Sequence, residues 1–150
     1  MEQQKTITVA LAGQPNTGKS TVFNMLTGLK QHVGNWPGKT VERKIGTATY
    51  KGSTYRLVDL PGTYSLTANS LEEMIARDFI IEEQPDVVVV VTDAAHLERN
   101  LYLVTELLPL SVPVIIALNM MDVAEQEGRP VDPRALEEAT GIRPGADTYR

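Results

Sequence analysis

Residues 13–21 read GQPNTGKST and follow the strand-like run TITVALA at 6–12. Two glycines, a lysine and two hydroxyls packed between a strand pattern and a helix pattern leave few folds open. Gly13-x-x-x-x-Gly18-Lys19-Ser20 has the spacing of a phosphate-binding loop. The glycines let backbone N–H groups turn inward around phosphate oxygens, and the following helix adds the positive end of its dipole. Gly13, Gln14, Pro15, Asn16, Thr17, Gly18, Lys19, Ser20 and Thr21 are the expected phosphate contacts. Lys19 would place a point charge between the β- and γ-phosphates, and the Ser20 hydroxyl would ligate Mg²⁺.

The rest of the chain alternates strands and helices. Val22, Phe23, Leu26 and Leu29 have helical spacing over 19–29, whereas QHVGNWPGKT at 31–40 reads as an irregular loop. Residues 44–59 form two β-rich runs about a Gly-containing turn, a hairpin. Ser70 and Glu73 have the capping-box spacing that opens a helix to about residue 83. Five consecutive valines at 87–91 mark a strand covered on both faces. A helix over 97–108, the strand PVIIALN at 113–119 and a helix between Asp132-Pro133 and Gly141 complete the pattern. This order predicts a three-layer α/β fold whose sheet is mostly parallel, with one antiparallel hairpin strand. At 150 residues the chain suits a single domain.

Three further motifs fall in an order that suits nucleotide chemistry. RLVDLPG ends a strand at Asp59, placed to hold Mg²⁺ through water, and Gly62 can offer its N–H to a γ-phosphate. Thr40, in the loop before the hairpin, can close over the metal. ALNMMD puts Asn119, Met120 and Asp122 at the end of a buried strand. A carboxylate there accepts both hydrogen bonds of the N1–H and 2-amino edge of guanine, whereas adenine would leave it unpaired. The expected ligands are therefore GTP and GDP rather than ATP.

Composition narrows the alternatives. A formal charge of −5 argues against a nucleic-acid partner. The chain has no cysteine, so disulfides and thiolate metal sites are excluded. The N-terminus lacks a signal-peptide pattern, and the apolar window at 101–121 is broken by Glu106, Pro109 and Pro113, so a soluble segment is expected. His32 and His96 read as surface histidines, and the acidic runs at 71–84 and 123–128 as solvated faces. Trp36 has two open readings, packing on the domain surface or a lid over nucleotide or a partner contact.

The stretches GQPNTGKSTVFNMLTG, VGNWPGKTVE, DLPGTYSL, TDAAHLERNLYL and ALNMMD together resemble a Ras-type GTPase, and more closely the N-terminal G domain of the FeoB ferrous-iron transporter family, over about residues 8–141. NWPGKTVE and LERNLYL carry the likeness to FeoB, and Met120 in place of the usual lysine of the Asn-Lys-x-Asp box is typical of it. The resemblance implies a cytoplasmic GTP-hydrolysing switch regulating a bacterial membrane iron pathway, with the transporter portion of the parent protein as its partner and a route to oligomers. Asn16, Lys19, Thr40 and Gly62 would carry hydrolysis. The resemblance also implies potassium stimulation, with Asn16 and the loop around Asn35 caging K⁺. Thr63 stands where many small GTPases have a water-orienting glutamine, so slow turnover is expected. A non-hydrolytic occupancy sensor and an RNA- or ribosome-assembly GTPase are the alternatives. The C-terminal GIRPGADTYR has no apolar run, so the final strand and base-closing loop of the family are expected to be missing or altered, as in a G domain truncated near its C-terminus.

Overall fold

The computed structural model describes residues 5–28, 30–141 and 144–146. Seven strands form one sheet in the order β2-β3-β4-β1-β5-β6-β7. They are β1 (Thr6–Gly13), β2 (Gln31–Asn35), β3 (Glu42–Tyr50), β4 (Ser53–Asp59), β5 (Val87–Asp93), β6 (Val114–Asn119) and β7 (Pro144–Ala146). β3 is antiparallel to both β2 and β4; the β1–β4, β1–β5, β5–β6 and β6–β7 pairings are parallel. The helices are α1 (Lys19–Thr27), α2 (Leu71–Glu83), α3 (Leu97–Leu107), α4 (Met121–Gln126) and α5 (Pro133–Thr140).

The period-2 geometry of the strands builds both layers of core. Val9 and Leu11 of β1, with Leu57 and Val91, bury one face under Phe23 of α1. Ala10 and Ala12, with Val58, Val88, Val90, Ile116 and Leu118, bury the other under α2 and α3 through Ile75, Phe79, Ile80, Leu103, Val104 and Leu107. The valine run therefore feeds both layers. Ser70 Oγ accepts the Glu73 N–H at 3.1 Å, so the capping box forms. Asp132 caps α5 through the Arg134 N–H, and Gly141 ends it in a left-handed turn.

Two expectations are corrected, and one helix is added. Residues 31–35 lie in strand β2, not in an irregular loop; they pair antiparallel with β3 from Gln31↔Gly46 to Asn35↔Glu42. Four of those five residues are exposed, so no buried face imprints an alternating pattern on the sequence. The added helix is α4, which follows the NMMD turn directly and opens after a left-handed Met120 with no capping side chain to announce it. Second, the final strand is short but not missing. Residues Pro144, Gly145 and Ala146 pair with Ile116, Ala117 and Leu118. A proline is tolerated as the first residue of such an edge strand. The expected place of a base-closing loop, 147–150, lies outside the described residues, as does Leu29 at the end of the expected first helix.

Candidate functional site

The parallel strands β4, β1, β5 and β6 all end on one side of the sheet, where α/β folds place their ligands. At the end of β1 the chain turns over residues 14–18 and enters α1. Asn16 (φ 66°) and Gly18 (φ 86°) are both left-handed there. Gly18 is required twice over: its φ disfavours any side chain, and a Cβ would collide with the Asn119 amide. Gly18→Ala should lower the melting temperature by about 4–8 °C, roughly 2 kcal/mol of left-handed strain and displaced Asn119. Differential scanning calorimetry would check this, and an unchanged transition would refute the close approach.

The loop is tied to its surroundings by a small set of bonds. Thr17 Oγ1 donates to Gln14 O at 3.0 Å, and Thr17 is buried, so its hydroxyl is spent inside the loop. Asn119 Nδ2, at the end of β6, donates to Thr17 O at 2.9 Å across 102 residues of sequence. The Thr63 N–H donates to Gly13 O at 3.1 Å, and Gly62 sits against Pro15. Lys19 Nζ is held by Asp59 Oδ1 and by Leu60 O, the latter at 2.7 Å, with both charged side chains 11% exposed. Asn16, Ser20 and Thr21 stay exposed.

The result is a cleft of about 460 Å³ lined by Gln14, Pro15, Asn16, Gly18, Lys19, Ser20, Thr21 and Gly62. The fold thus gathers the loop of residues 13–21 with Asp59, Gly62 and Asn119. Met120 lies beside Gly18, and Asp122 is exposed in the first turn of α4. Thr40 and Asn35 are not brought to the cleft: both are exposed at the far edge of the sheet. Thr63 is buried and does not line the cleft. A larger cleft of about 840 Å³ lies beyond Gln14, between Tyr64 and Tyr102. The smaller one holds the Lys19 cation and the N-terminus of α1, the two features that suit an anion.

Some participants carried no sequence signal that could be read. Gln14 Nε2 donates to Arg99 O at 2.6 Å, fastening the loop to α3. Asn100, 1% exposed, accepts the Asp93 N–H at 3.3 Å and donates to His96 O at 2.8 Å, pinning the start of α3 to the end of β5. Asn100 lies in LERNLYL, so the motif was visible but its bracing role was not. Glu73 accepts from the Asn69 N–H and from Ser65 and Thr67, and these bonds, the Asn69 one foremost, hold its carboxyl below the usual carboxylate range. Leu66 N–H is taken by Glu106 of α3 at 2.6 Å. Segment 62–71 is therefore fastened at two carboxylates. His96 pairs with one carboxylate, Asp93, at 2.9 Å, and among the described residues no group of three potential ligands gathers a metal. Among them, too, no helix is long and apolar enough to cross a membrane.

Comparison with known proteins agrees with this geometry. The chain is 50% identical over 141 residues to the Fe(2+) transporter FeoB of Salmonella typhimurium, covering 91% of this chain and 18% of the length of that relative. The G domain of the T. maritima FeoB iron transporter superposes with a TM-score of 0.89 at 46% identity, over 95% of this chain and 87% of that one. A mutant S. thermophilus NFeoB bound to mGDP gives 0.90 at 43% identity, over 95% of this chain and 55% of that one. Residues 7–144 match the family described as ferrous iron transport protein B, and with the phosphate loop, β-sheet order and Asn119 bond in place, the chain belongs to that family.

Proposed function

We propose that this chain binds GTP and GDP with Mg²⁺ and hydrolyses GTP slowly, as the switch that regulates ferrous-iron passage through a membrane transporter, working on its cytoplasmic face. The observation that carries the reading is the Asn119 bond to Thr17 O, which joins a guanine-reading element to the phosphate loop. A GDP-type ligand in an S. thermophilus relative of the same fold supports the choice of nucleotide.

The residues fit the ligand. Lys19 has an acceptor pair on Asp59 and Leu60 that phosphate oxygens would replace, and that exchange would free the Asp59 carboxylate. Ser20, Asp59 and, after loop movement, Thr40 form an all-oxygen set suited to a hard cation. Bound there, Mg²⁺ would neutralise charge between the β- and γ-phosphates. Gly62 would offer its N–H to the γ-phosphate. Turnover is slow on this reading because Thr63 is buried and leaves no side chain at its position to orient water.

Asn16 is exposed at the cleft in a left-handed turn and would hold K⁺ there, where Ras-type enzymes receive an arginine, once the same loop movement brings the backbone around Asn35 to it. GTP hydrolysis should run faster in potassium than in sodium, and Asn16→Ala should erase the difference with binding intact. Phosphate release measured in matched chloride salts tests both. Equal rates for the unmutated chain would remove K⁺, and absence of any release over a full day at excess GTP would favour a sensor that works by occupancy alone.

A further inference from the structure

Trp36 lies on the loop that carries Thr40 and is 7% exposed, inside the core cluster under α2. Its ring meets Phe79 of α2 edge-on, centroids 5.7 Å apart and planes at 73°, and the Arg43 guanidinium lies 5.7 Å from its centroid on β3. Both contacts are attractive through the ring quadrupole.

The backbone fixes the same arrangement. WPGK forms a tight turn in which the Lys39 N–H donates to Trp36 O at 2.9 Å, with Pro37 at its second position and Gly38 at φ 69°. The Trp36 N–H donates to Val41 O at 2.9 Å, closing the top of the β2–β3 hairpin. Thr40 is thus enclosed in a sealed turn and is exposed. Register places it far from the metal site: Lys44 pairs with Asp59, and Thr40 precedes Lys44 by four residues on the way out to the turn. β3 begins at Glu42, so the strand rise of about 3.3 Å per residue carries the chain roughly 7 Å past Lys44 before the turn that holds Thr40.

Thr40 can reach Ser20 and Asp59 only if that turn opens, and the seat of Trp36 on α2 is what the opening must break. The seat is also imperfect. Trp36 Nε1 is buried without a partner among the described residues, an unmet donor that weakens the state holding it. An anchored loop with one built-in cost is an arrangement a ligand can tip.

We propose that the seat of Trp36 between Phe79 and Arg43 is a positioning device that sets the preference of this site for GDP over GTP. The proposal rests on the reading of Thr40 as a ligand to the nucleotide-bound metal. A nucleotide with a γ-phosphate must draw Thr40 inward and unseat Trp36; one without it leaves the seat filled. Weakening the seat therefore raises affinity for GTP and leaves that for GDP unchanged.

Trp36 is the only tryptophan, so its fluorescence reads the seat directly. The test compares the chain saturated with Mg²⁺–GDP and with a Mg²⁺–non-hydrolysable GTP analogue, after fluorescent nucleotides have shown that both bind. Expected are a red-shifted emission and several-fold greater acrylamide quenching with the GTP analogue. Phe79→Leu, which keeps an apolar side chain but removes the edge-on ring, should raise the affinity ratio of analogue to GDP by roughly 3- to 10-fold. Should Phe79→Leu fail to melt cooperatively, Arg43→Ala reads the same direction from the rim of the seat. Equal quenching with both nucleotides, or a ratio unchanged in the folded variant, overturns the proposal while leaving GTP binding in place. Failure of both nucleotides to bind overturns the GTP-switch reading itself, and the seat proposal falls with it.

Discussion

Lys19→Ala is expected to lose GTP and GDP affinity together, by roughly 10²- to 10⁴-fold. Lys19 is the only side-chain cation in residues 13–21, and hydrogen bonds to a charged group are each worth about 1.5–3 kcal/mol. Removing two such bonds to phosphate oxygens at once gives that range. The structure adds a complication that the sequence does not show. Lys19 neutralises Asp59, and both are only 11% exposed, so alanine also leaves a carboxylate without its partner. Lys19→Met leaves Asp59 equally unpaired but keeps most of the apolar stem, so comparing it with alanine separates the loss of charge from the loss of packing. If both variants melt near the parent temperature and neither binds nucleotide by calorimetry, the loss is electrostatic. Retention of parent affinity for both nucleotides in either folded variant would refute the phosphate-loop assignment.

Asp59→Asn provides the reciprocal view. It frees Lys19 from its carboxylate while removing a proposed metal ligand. Affinity without Mg²⁺ would then be kept or raised while its Mg²⁺ dependence falls, a pattern that Lys19→Ala cannot produce.

The phosphate loop was legible because every residue it needs is contiguous, and strand, glycines and helix follow one another within 22 positions of one chain segment. The valine strand was legible because burial on both faces forces an unbroken apolar run. β2 was not, since its exposed residues are held by backbone bonds to β3 and leave no periodic trace. The same holds for β7, where Pro144 and Gly145 argue locally against a strand that β6 imposes. Within the site, residue types were readable but partners were not. Nothing in the sequence announces that Asn119 bonds Thr17, that Gln14 bonds Arg99, or that Trp36 inserts beneath Arg43, because each is a meeting of distant segments set by the sheet order. Of the two readings of Trp36, its seat in the core supports packing, in a place that also restrains the loop.

Asp122→Asn is expected to move nucleotide preference from GTP towards XTP, by roughly 10²- to 10⁴-fold in the ratio of affinities. Asp122 lies in the first turn of α4, exposed, two residues beyond the left-handed Met120 and three beyond Asn119, which is itself anchored on the phosphate loop. On the proposed reading that anchoring would set the distance between phosphates and base edge, and the carboxylate would meet whatever the base presents there. Guanine presents two donors, N1–H and the 2-amino group, and a carboxylate accepts both. An asparagine amide offers one acceptor and one donor, which leaves the 2-amino group facing an N–H. Xanthine carries an oxygen at that position, so N1–H donates to the amide oxygen and the amide N–H donates to the xanthine oxygen. Each hydrogen bond to the charged group is worth about 1.5–3 kcal/mol, and two exchanged bonds give the stated ratio. Because the side chain is exposed and away from the described core clusters, stability should stay within about 0.5 kcal/mol of the parent, so the result reads recognition and not folding. Competition of GTP and XTP against a fluorescent nucleotide measures the ratio directly. A variant that keeps parent GTP affinity and gains none for XTP would show that the base is read elsewhere, and that Asp122 serves only the start of α4, where a carboxylate also suits the helix dipole.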